Sequence, residues 1–341
     1  MAPREPSEVM EGLLLGTAIG DALGLPFEGL GATAIARWNP SFDRYHLLGP
    51  LGFVSDDTEQ SALLLESLLR GRGELGASRR AFRRALCAWF LRLPFGIGAA
   101  TARACTKLLF AVEESGVGSA GNGAAMRAAV VGAFFADDAG KRRAFSALQA
   151  RITHTDPRAV DGAVYVSELA SLCCTQPELD RATLVERSLD VVGANELRDA
   201  LQTALGRARC GEAYEGPENT GYVVATLALA TWAFVARGSS FQPAIEATIR
   251  EGGDTDTAAA ILGGWLGALH GPRGLPNGLV ERLPGGPFGR RHLTKLARAL
   301  DGRAIPSWSS IAALLRNLAL YPVVLGHGFA RLLGLLPRGR G

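Results

Sequence analysis

The chain has 341 residues, nearly half of them apolar and a fifth charged, the composition of a soluble globular protein long enough for one large domain or two modest ones. Its formal net charge of +3 is small, and basic and acidic residues are interleaved without a long basic run, so nucleic acid is not indicated as a partner. The longest apolar run, 223–236, is shorter than the roughly 20 residues a bilayer span requires, and no membrane span is expected.

Cys87, Cys105, Cys173, Cys174 and Cys210 form no C-x-x-C pair and no zinc spacing. An odd, scattered set of thiols fits a reducing compartment, and with no apolar stretch near Met1 the expected location is cytoplasmic.

In chain order, Gly16, Gly20 and Gly24 punctuate a first helix that runs into a turn at Pro26. Close-spaced glycines permit tight helix approach. Asp21 lies inside that helix and needs a partner if buried. Glu28, just past Pro26, is either a solvated loop acid or a mobile one. Leu64, Leu65, Leu68 and Leu69 repeat on one helical face, as do Leu86, Trp89, Phe90 and Leu93. The segments 126–135, 160–172, 221–235 and 258–269 are helical in spacing and poor in β-branched alternation. Helices 221–235 and 258–269 are apolar nearly all round and must lie inside a multilayer bundle. These features predict an all-α fold, with one domain over about residues 8–300. The stretch 283–291 reads as a loop. From 311 to 336 the chain turns apolar again, interrupted by Arg316, Pro322, His327 and Arg331. That extension, 301–341, reads as a helix pair packed on the core or on a second subunit; a helix lying on a membrane surface is the alternative.

Two short strings carry the chemistry: Ser55-Asp56-Asp57-Thr58-Glu59 and Gly252-Gly253-Asp254-Thr255-Asp256-Thr257. Each leads directly into a helix. Simple capping explains one Asp per helix start, and Asp57 with Gln60 fits a capping box. A cap uses one side chain, whereas here two acids and hydroxyls crowd each start. Partly buried carboxylates in such numbers must take up protons or hold cations. The donors are all oxygens, which suits Mg²⁺, Mn²⁺ or Ca²⁺ rather than structural zinc. If the two starts meet, four carboxylates can bracket two ions.

Two glycine loops precede helices: Gly96 to Thr101, and Gly118-Ser119-Ala120-Gly121-Asn122-Gly123. Free backbone N–H groups at such places bind phosphate oxygens, although Gly-rich turns between helices are common. His154 sits among polar residues before Pro157, which fits the first turn of the next helix; it is either a packing residue or a ligand contact. Gly29-Leu-Gly31-Ala-Thr-Ala34 matches G-x-G-x-x-A but lacks the preceding strand of a dinucleotide fingerprint. Asp254-Thr-Asp256 lies too late in the chain, and follows glycines rather than an apolar strand, to read as the nucleophile of an aspartyl phosphatase.

Taken together and in order, Gly20-Asp21 through Glu28, Ser55 to Thr58, Gly96 to Ala100, Gly118 to Arg127, Thr153-His154 and Gly253 to Thr257 resemble the ADP-ribosylglycohydrolase family over about residues 10–271. The resemblance implies a single large orthogonal helical bundle with two Mg²⁺ (or Mn²⁺) at the bottom of an ADP-ribose cleft. It implies metal ligation by Ser55, Asp56, Asp57, Asp254, Asp256 and Thr257. Glu28, Asp57, Asp254 and Asp256 would carry catalysis, with Glu28 on a mobile flap. Gly96, Gly98, Ala99, Gly118, Ser119, Asn122, Gly123 and His154 would bind substrate. The implied reaction hydrolyses the glycosidic bond between ADP-ribose and a modified target, with arginine mildly favoured among protein side chains. The partner is an ADP-ribosylated protein or small molecule, and the oligomeric state stays open. The alternative is an inactive ADP-ribose-binding or structural relative, which broken acid motifs would betray; every acid is present. Ser55 stands where many relatives have Thr, which keeps the hydroxyl. Ala120 stands where some have a stacking aromatic. The stretch from Arg316-Asn317 to His327-Gly328 resembles an extension on some bacterial members.

Overall fold

The computed structural model describes residues 4–193 and 195–332. Its helices are α1 (Pro6–Gly24), α2 (Ala32–Trp38), α3 (Asp56–Arg70), α4 (Leu75–Phe90), α5 (Ala99–Leu109), α6 (Ala129–Phe134), α7 (Ala139–Arg151) and α8 (Pro157–Thr175) in the first half. There follow α9 (Arg181–Leu189), α10 (Glu196–Arg209), α11 (Val223–Arg237), α12 (Phe241–Arg250), α13 (Thr255–His270), α14 (Asn277–Glu281), α15 (Arg290–Ala297) and α16 (Ser310–Leu332). The fold is all-α, as the spacing predicts. The sheet among the described residues is one antiparallel pair, β1 (Leu30–Gly31) with β2 (Gly252–Gly253), in which Leu30 faces Gly253 and Gly31 faces Gly252. Two-residue strands made largely of glycine leave no alternation to read in a sequence.

The centre of the bundle is the pair α1 and α13. Gly12, Gly16, Gly20 and Gly24 recur every four residues and so form one line along α1. Ala259, Gly263 and Gly267 form the matching line on α13. A Cβ on Gly20 would stand 2.0 Å from the Ala259 carbonyl oxygen, and one on Gly16 2.1 Å from that of Gly263. The partners run in opposite order along the two helices, so the pair is antiparallel and in direct backbone contact. The C-terminal end of α1 therefore meets the N-terminal end of α13. There the Thr255 hydroxyl donates to the Gly24 carbonyl at 2.9 Å. By length and composition α1 would suffice to cross a membrane, but 89% of its apolar window is buried inside the fold.

The remaining core closes around this pair. Trp265 of α13 donates its indole N–H to the Val166 carbonyl of α8 at 3.1 Å, and the Tyr165 and Thr231 hydroxyls meet at 2.8 Å. The polar tips of these buried rings are thus satisfied, as a dry core requires.

Two expectations are corrected. The helix expected over 126–135 is regular only over Ala129–Phe134, preceded by a 3-10 turn at Asn122–Ala124. Arg127 interrupts it: wholly buried, this side chain binds Gln60, Gln149, Thr153 and the Gly123 carbonyl. Apolar spacing does not register that demand. The extension forms one helix, α16, rather than a pair through 332, with Pro322 inside it. Residues 333–336 and the side chains of His327 and Arg331 lie outside what is described.

The backbone contact makes a direct prediction. Gly20→Ala should destabilise the protein by about 1–3 kcal/mol or more, because the methyl group has nowhere to go. Gly206→Ala, in α10 with open space around its Cβ position, should stabilise it by roughly 0.5–1 kcal/mol. Urea denaturation of both variants checks this, and similar midpoints for the two would contradict the packing.

Candidate metal centre and ligand cleft

The two acid strings meet. Ser55 is the N-cap of α3, its hydroxyl accepting weakly from the Asp57 N–H at 3.4 Å. The capping box expected of Asp57 and Gln60 is absent: Gln60 instead donates to Asp56 at 3.1 Å. A second cap comes from α1. The Asp21 carboxylate accepts from the Ser55 N–H at 3.0 Å, the Thr58 N–H at 3.2 Å and the Thr58 hydroxyl at 2.6 Å. The buried acid inside the first helix finds its partner here, and it fixes the start of α3 against the end of α1.

α13 begins opposite. Asp254 occupies its N-cap position, but its side chain makes no capping bond; it accepts from the Asn122 amide at 2.8 Å. Asn219 holds the same residue through the backbone, accepting its N–H and donating to its carbonyl, each at 2.7 Å. Thr257 donates to Asp57 at 3.4 Å, joining helix starts two hundred residues apart. β1 and β2, with the Gly29 N–H donating to the Gly253 carbonyl at 2.7 Å, tie the Glu28 turn to this loop.

Asp21, Asp57 and Asp256, all buried, each present an oxygen within 4.8 Å of the others. The second carboxylate oxygen of Asp57, Oδ1, is buried with no hydrogen-bond partner. Leaving such a group unpaired costs about 1–3 kcal/mol. Oxygen donors, three clustered carboxylates and an orphaned buried oxygen fit a hard divalent cation.

A cleft of about 310 Å³ opens over this cluster. Its lining includes Glu28, Asp56, Asp254, Asp256 and Thr257 at one end, and Gly96, Gly98, Ala99, Ser119, Asn122, Gly123 and His154 along the walls. Ser55 and Asp57 lie behind the lining, fully buried. Gly118 is exposed and is not among the lining residues. Thr101, Met126, Thr220 and Gly221 also line the cleft and carried no signal in the sequence beyond their neighbourhood. Gly96 has φ +77°, and a Cβ on it would stand 2.4 Å from Asp56 Oδ1; any side chain there would be strained and would strike the carboxylate.

Burial pushes Asp56, Asp57 and Asp256 well above the usual carboxylate range, and neighbouring acids add to it: chiefly Asp21 for Asp56, Asp56 for Asp57 and Glu28 for Asp256. Burial also raises Asp21 to about 6, opposed by the hydrogen bonds from Thr58 and Ser55. His154 is held down to about 3, first by burial and then by Arg127, so it is neutral at pH 7. Its Nδ1 lies 2.8 Å from the Thr153 hydroxyl, which already accepts from Arg127 at 2.7 Å. The same hydroxyl also donates to the Ala150 carbonyl at 3.5 Å.

Residues 4–309 match the family described as ADP-ribosylglycohydrolase. The chain is 27% identical to the ADP-ribosyl-(dinitrogen reductase) glycohydrolase of Rhodospirillum rubrum over 282 residues, covering 80% of this chain and 89% of that protein. It is 27% identical to the ADP-ribosylarginine hydrolase Tri1 of Pseudomonas putida over 344 residues, covering 92% of this chain and 83% of that one. A solved structure titled ADP-ribosylglycohydrolase-related protein complex superposes with a TM-score of 0.69 at 28% identity, over 87% of this chain and 98% of that chain.

The raised carboxyls set a pH dependence. Each binds its proton more tightly folded than unfolded, where an Asp titrates near pH ~3.9. Without metal, their stabilisation is complete below that value and is lost as pH rises through the folded values, about 6 for Asp21 and well above the usual carboxylate range for Asp56, Asp57 and Asp256. A divalent cation bound among these carboxylates would replace the protons. In chelator the melting temperature should fall between about pH 5 and pH 7.5; excess Mg²⁺ or Mn²⁺ should restore it at the higher pH and do little at the lower. A melting temperature in chelator that does not fall over this range would contradict the assignment.

Proposed function

We propose, from the premise that the chain belongs to the ADP-ribosylglycohydrolase family, that it hydrolyses the bond joining the terminal ribose of ADP-ribose to an arginine side chain of a protein, using two Mg²⁺ or Mn²⁺ ions. The observation that carries this reading is the convergence of the α3 and α13 starts at the floor of one cleft. Arginine as the modified residue is supported by the Tri1 relative, whose name specifies ADP-ribosylarginine. Residues 8–300 would form the catalytic domain. Five unpaired cysteines support a cytoplasmic setting.

Ser55, Asp56, Asp57, Asp254, Asp256 and Thr257 would hold the ions, with the orphaned Asp57 Oδ1 facing the charge it lacks. When bound, the ions supply concentrated positive charge that neutralises the carboxylates and orients the vicinal hydroxyls of the terminal ribose. Asp21, whose oxygens already accept from Ser55 and Thr58, sets the position of Asp56 and Asp57. Asn122 and Asn219 do the same for Asp254.

Asp57 lies behind the cleft lining whereas Glu28 faces the cleft, so proton transfer falls to Glu28. Its carboxylate takes a proton from water as the water oxygen bonds to the anomeric carbon. The bond from that carbon to the arginine nitrogen breaks, and the proton passes to the departing nitrogen. The oxocarbenium-like charge on the sugar is stabilised by the flanking carboxylates. The walls hold the rest of the ligand. The loop from Gly96 to Ala99 enters α5 and would offer its N–H groups to the diphosphate, Ser119 would extend that wall while Gly118 lies outside the lining, and His154 with Gly123 would border the ribose.

Asp254→Ala and Asp256→Ala should each lower turnover of ADP-ribosylarginine protein by about two to three orders of magnitude, with Mn²⁺ binding weakened in parallel. A panel of arginine-, serine- and nucleic-acid-linked ADP-ribose, scored by release of free ADP-ribose, tests the leaving group. Full activity in either variant or in metal-free enzyme, or release from serine alone, would refute the proposal.

A further inference from the structure

α16 lies outside all of the acid and glycine motifs, yet its buried face reaches the metal centre from behind. Arg316 pairs through Nη2 with Glu59, a buried acid two residues after Asp57 on α3. The other Glu59 oxygen accepts the Trp89 indole N–H at 2.7 Å. The guanidinium is fixed on its remaining sides. It donates to the Pro287 carbonyl at 3.1 Å and to Asn317 Oδ1 through Nε and Nη2 at 3.1 and 2.9 Å. It also lies 5.6 Å from the centre of the Phe53 ring and 5.7 Å from that of Phe288.

The next residue holds the cleft wall. Asn317 is 1% exposed and donates to the Arg92 carbonyl at 2.8 Å. One turn on, the Tyr321 ring packs 4.3 Å from the Phe95 ring, which in turn meets the Phe53 ring edge-on at 5.7 Å. Phe95 immediately precedes Gly96, whose Cα backs onto the Asp56 carboxylate so closely that no Cβ fits. α16 thus grips both structures that fix Asp56: the helix start that carries it, through Glu59, and the loop that backs it, through residues 92–95.

We propose that Arg316 and Asn317 are positioning residues for the metal centre, setting the separation between the start of α3 and the Gly96 loop. This inference rests on the metal-binding role proposed for Asp56 and Asp57. Arg316 uses the whole fork of its guanidinium, so lysine, a point charge with no fork, is an incomplete substitute. A buried ion pair is weak evidence for net stability. Its value here is geometric: Glu59 shares a helix turn with Asp56, and a shift of that turn moves the carboxylate.

The test is Mn²⁺ affinity of the full-length protein by isothermal titration, well below the melting temperature, with KM and kcat measured alongside. Arg316→Ala and Asn317→Ala should each weaken Mn²⁺ binding by about tenfold or more, as loss of outer-shell partners does in other metal sites. Arg316→Lys should fall between parent and Arg316→Ala, and it serves as the readout if the alanine variant does not fold. Arg143→Ala, which removes an arginine from the Glu168 ion pairs between α7 and α8, reports on stability alone and should leave Mn²⁺ affinity unchanged. Affinity within twofold of the parent in Arg316→Lys and Asn317→Ala would overturn the positioning role. A parent protein that binds no Mn²⁺ would instead overturn the metal-centre reading itself.

Discussion

The contact on which the site depends is the backbone-to-backbone packing of α1 on α13. Side chains at that seam would hold the two helices 8–10 Å apart. The glycine line removes them, and carbonyl oxygens of one helix sit where the other would place a Cβ. The seam is antiparallel, so it brings the end of α1 to the beginning of α13. Asp21, at the last turn of α1, then captures the start of α3 through Ser55 and Thr58. One packing decision thereby delivers three chain segments, each carrying acid, to a single point. The short ladder of β1 with β2 adds the Glu28 turn to the same point.

Bringing so many carboxylates together is unfavourable in itself, and the protein meets that cost by several means. Two helix N-termini, those of α3 and α13, aim their partial positive charge into the cluster. Hydroxyls and amides supply donors: Ser55 and Thr257 to Asp57, Gln60 to Asp56, Asn122 to Asp254. Arg127 backs Asp56 through Gln60, with the guanidinium stacked 5.3 Å from the Phe82 ring and every arm engaged. These donors compensate some oxygens and leave Asp57 Oδ1 without a partner. Burial, and after it the neighbouring acids, keeps the proton affinities of Asp56, Asp57 and Asp256 raised despite these donors. That residue of unbalanced charge is what a divalent cation would meet, and it ties the fold's stability to the ligand the site would bind.

The acids were legible in the sequence because their chemistry is concentrated in short strings at helix starts, where two adjacent carboxylates exceed what capping needs. The all-α fold was legible from apolar spacing, and Gly16, Gly20 and Gly24 announced a close helix contact without naming its partner. What stayed hidden is what depends on tertiary placement. Asp21 read as an acid in need of a partner, and the sequence had no means of saying that the partner was the start of α3. Asn219, which holds Asp254 from a loop with no motif, and Thr226, which bridges Asn122 and Asn219, gave no signal at all. Arg127 falls within a stretch whose apolar spacing predicts an unbroken helix, and the buried hub it forms breaks that helix. Gln60 was assigned to a local cap, whereas its amide spans the gap between Asp56 and Arg127.

The division of labour between near and far elements follows from the same geometry. A carboxylate at a helix start is placed by its own helix only to within the freedom of that helix to slide or tilt. Asp256 is fixed by the glycine seam, where its backbone lies against Gly24 and leaves no play, and Asp254 just ahead of it is held by Asn122 and Asn219. α3 has no such seam. Its start is held in front by Asp21 and, one turn further in, by the contact of Glu59 with Arg316. The helix that rides on backbone contact is set by that seam along its length, while the helix that rides on side chains acquires a brace from α16. That asymmetry gives a physical reason for α16 to lie where it does, with Asn317 buried, Arg316 half-buried and Leu315 and Leu318 left on the outside.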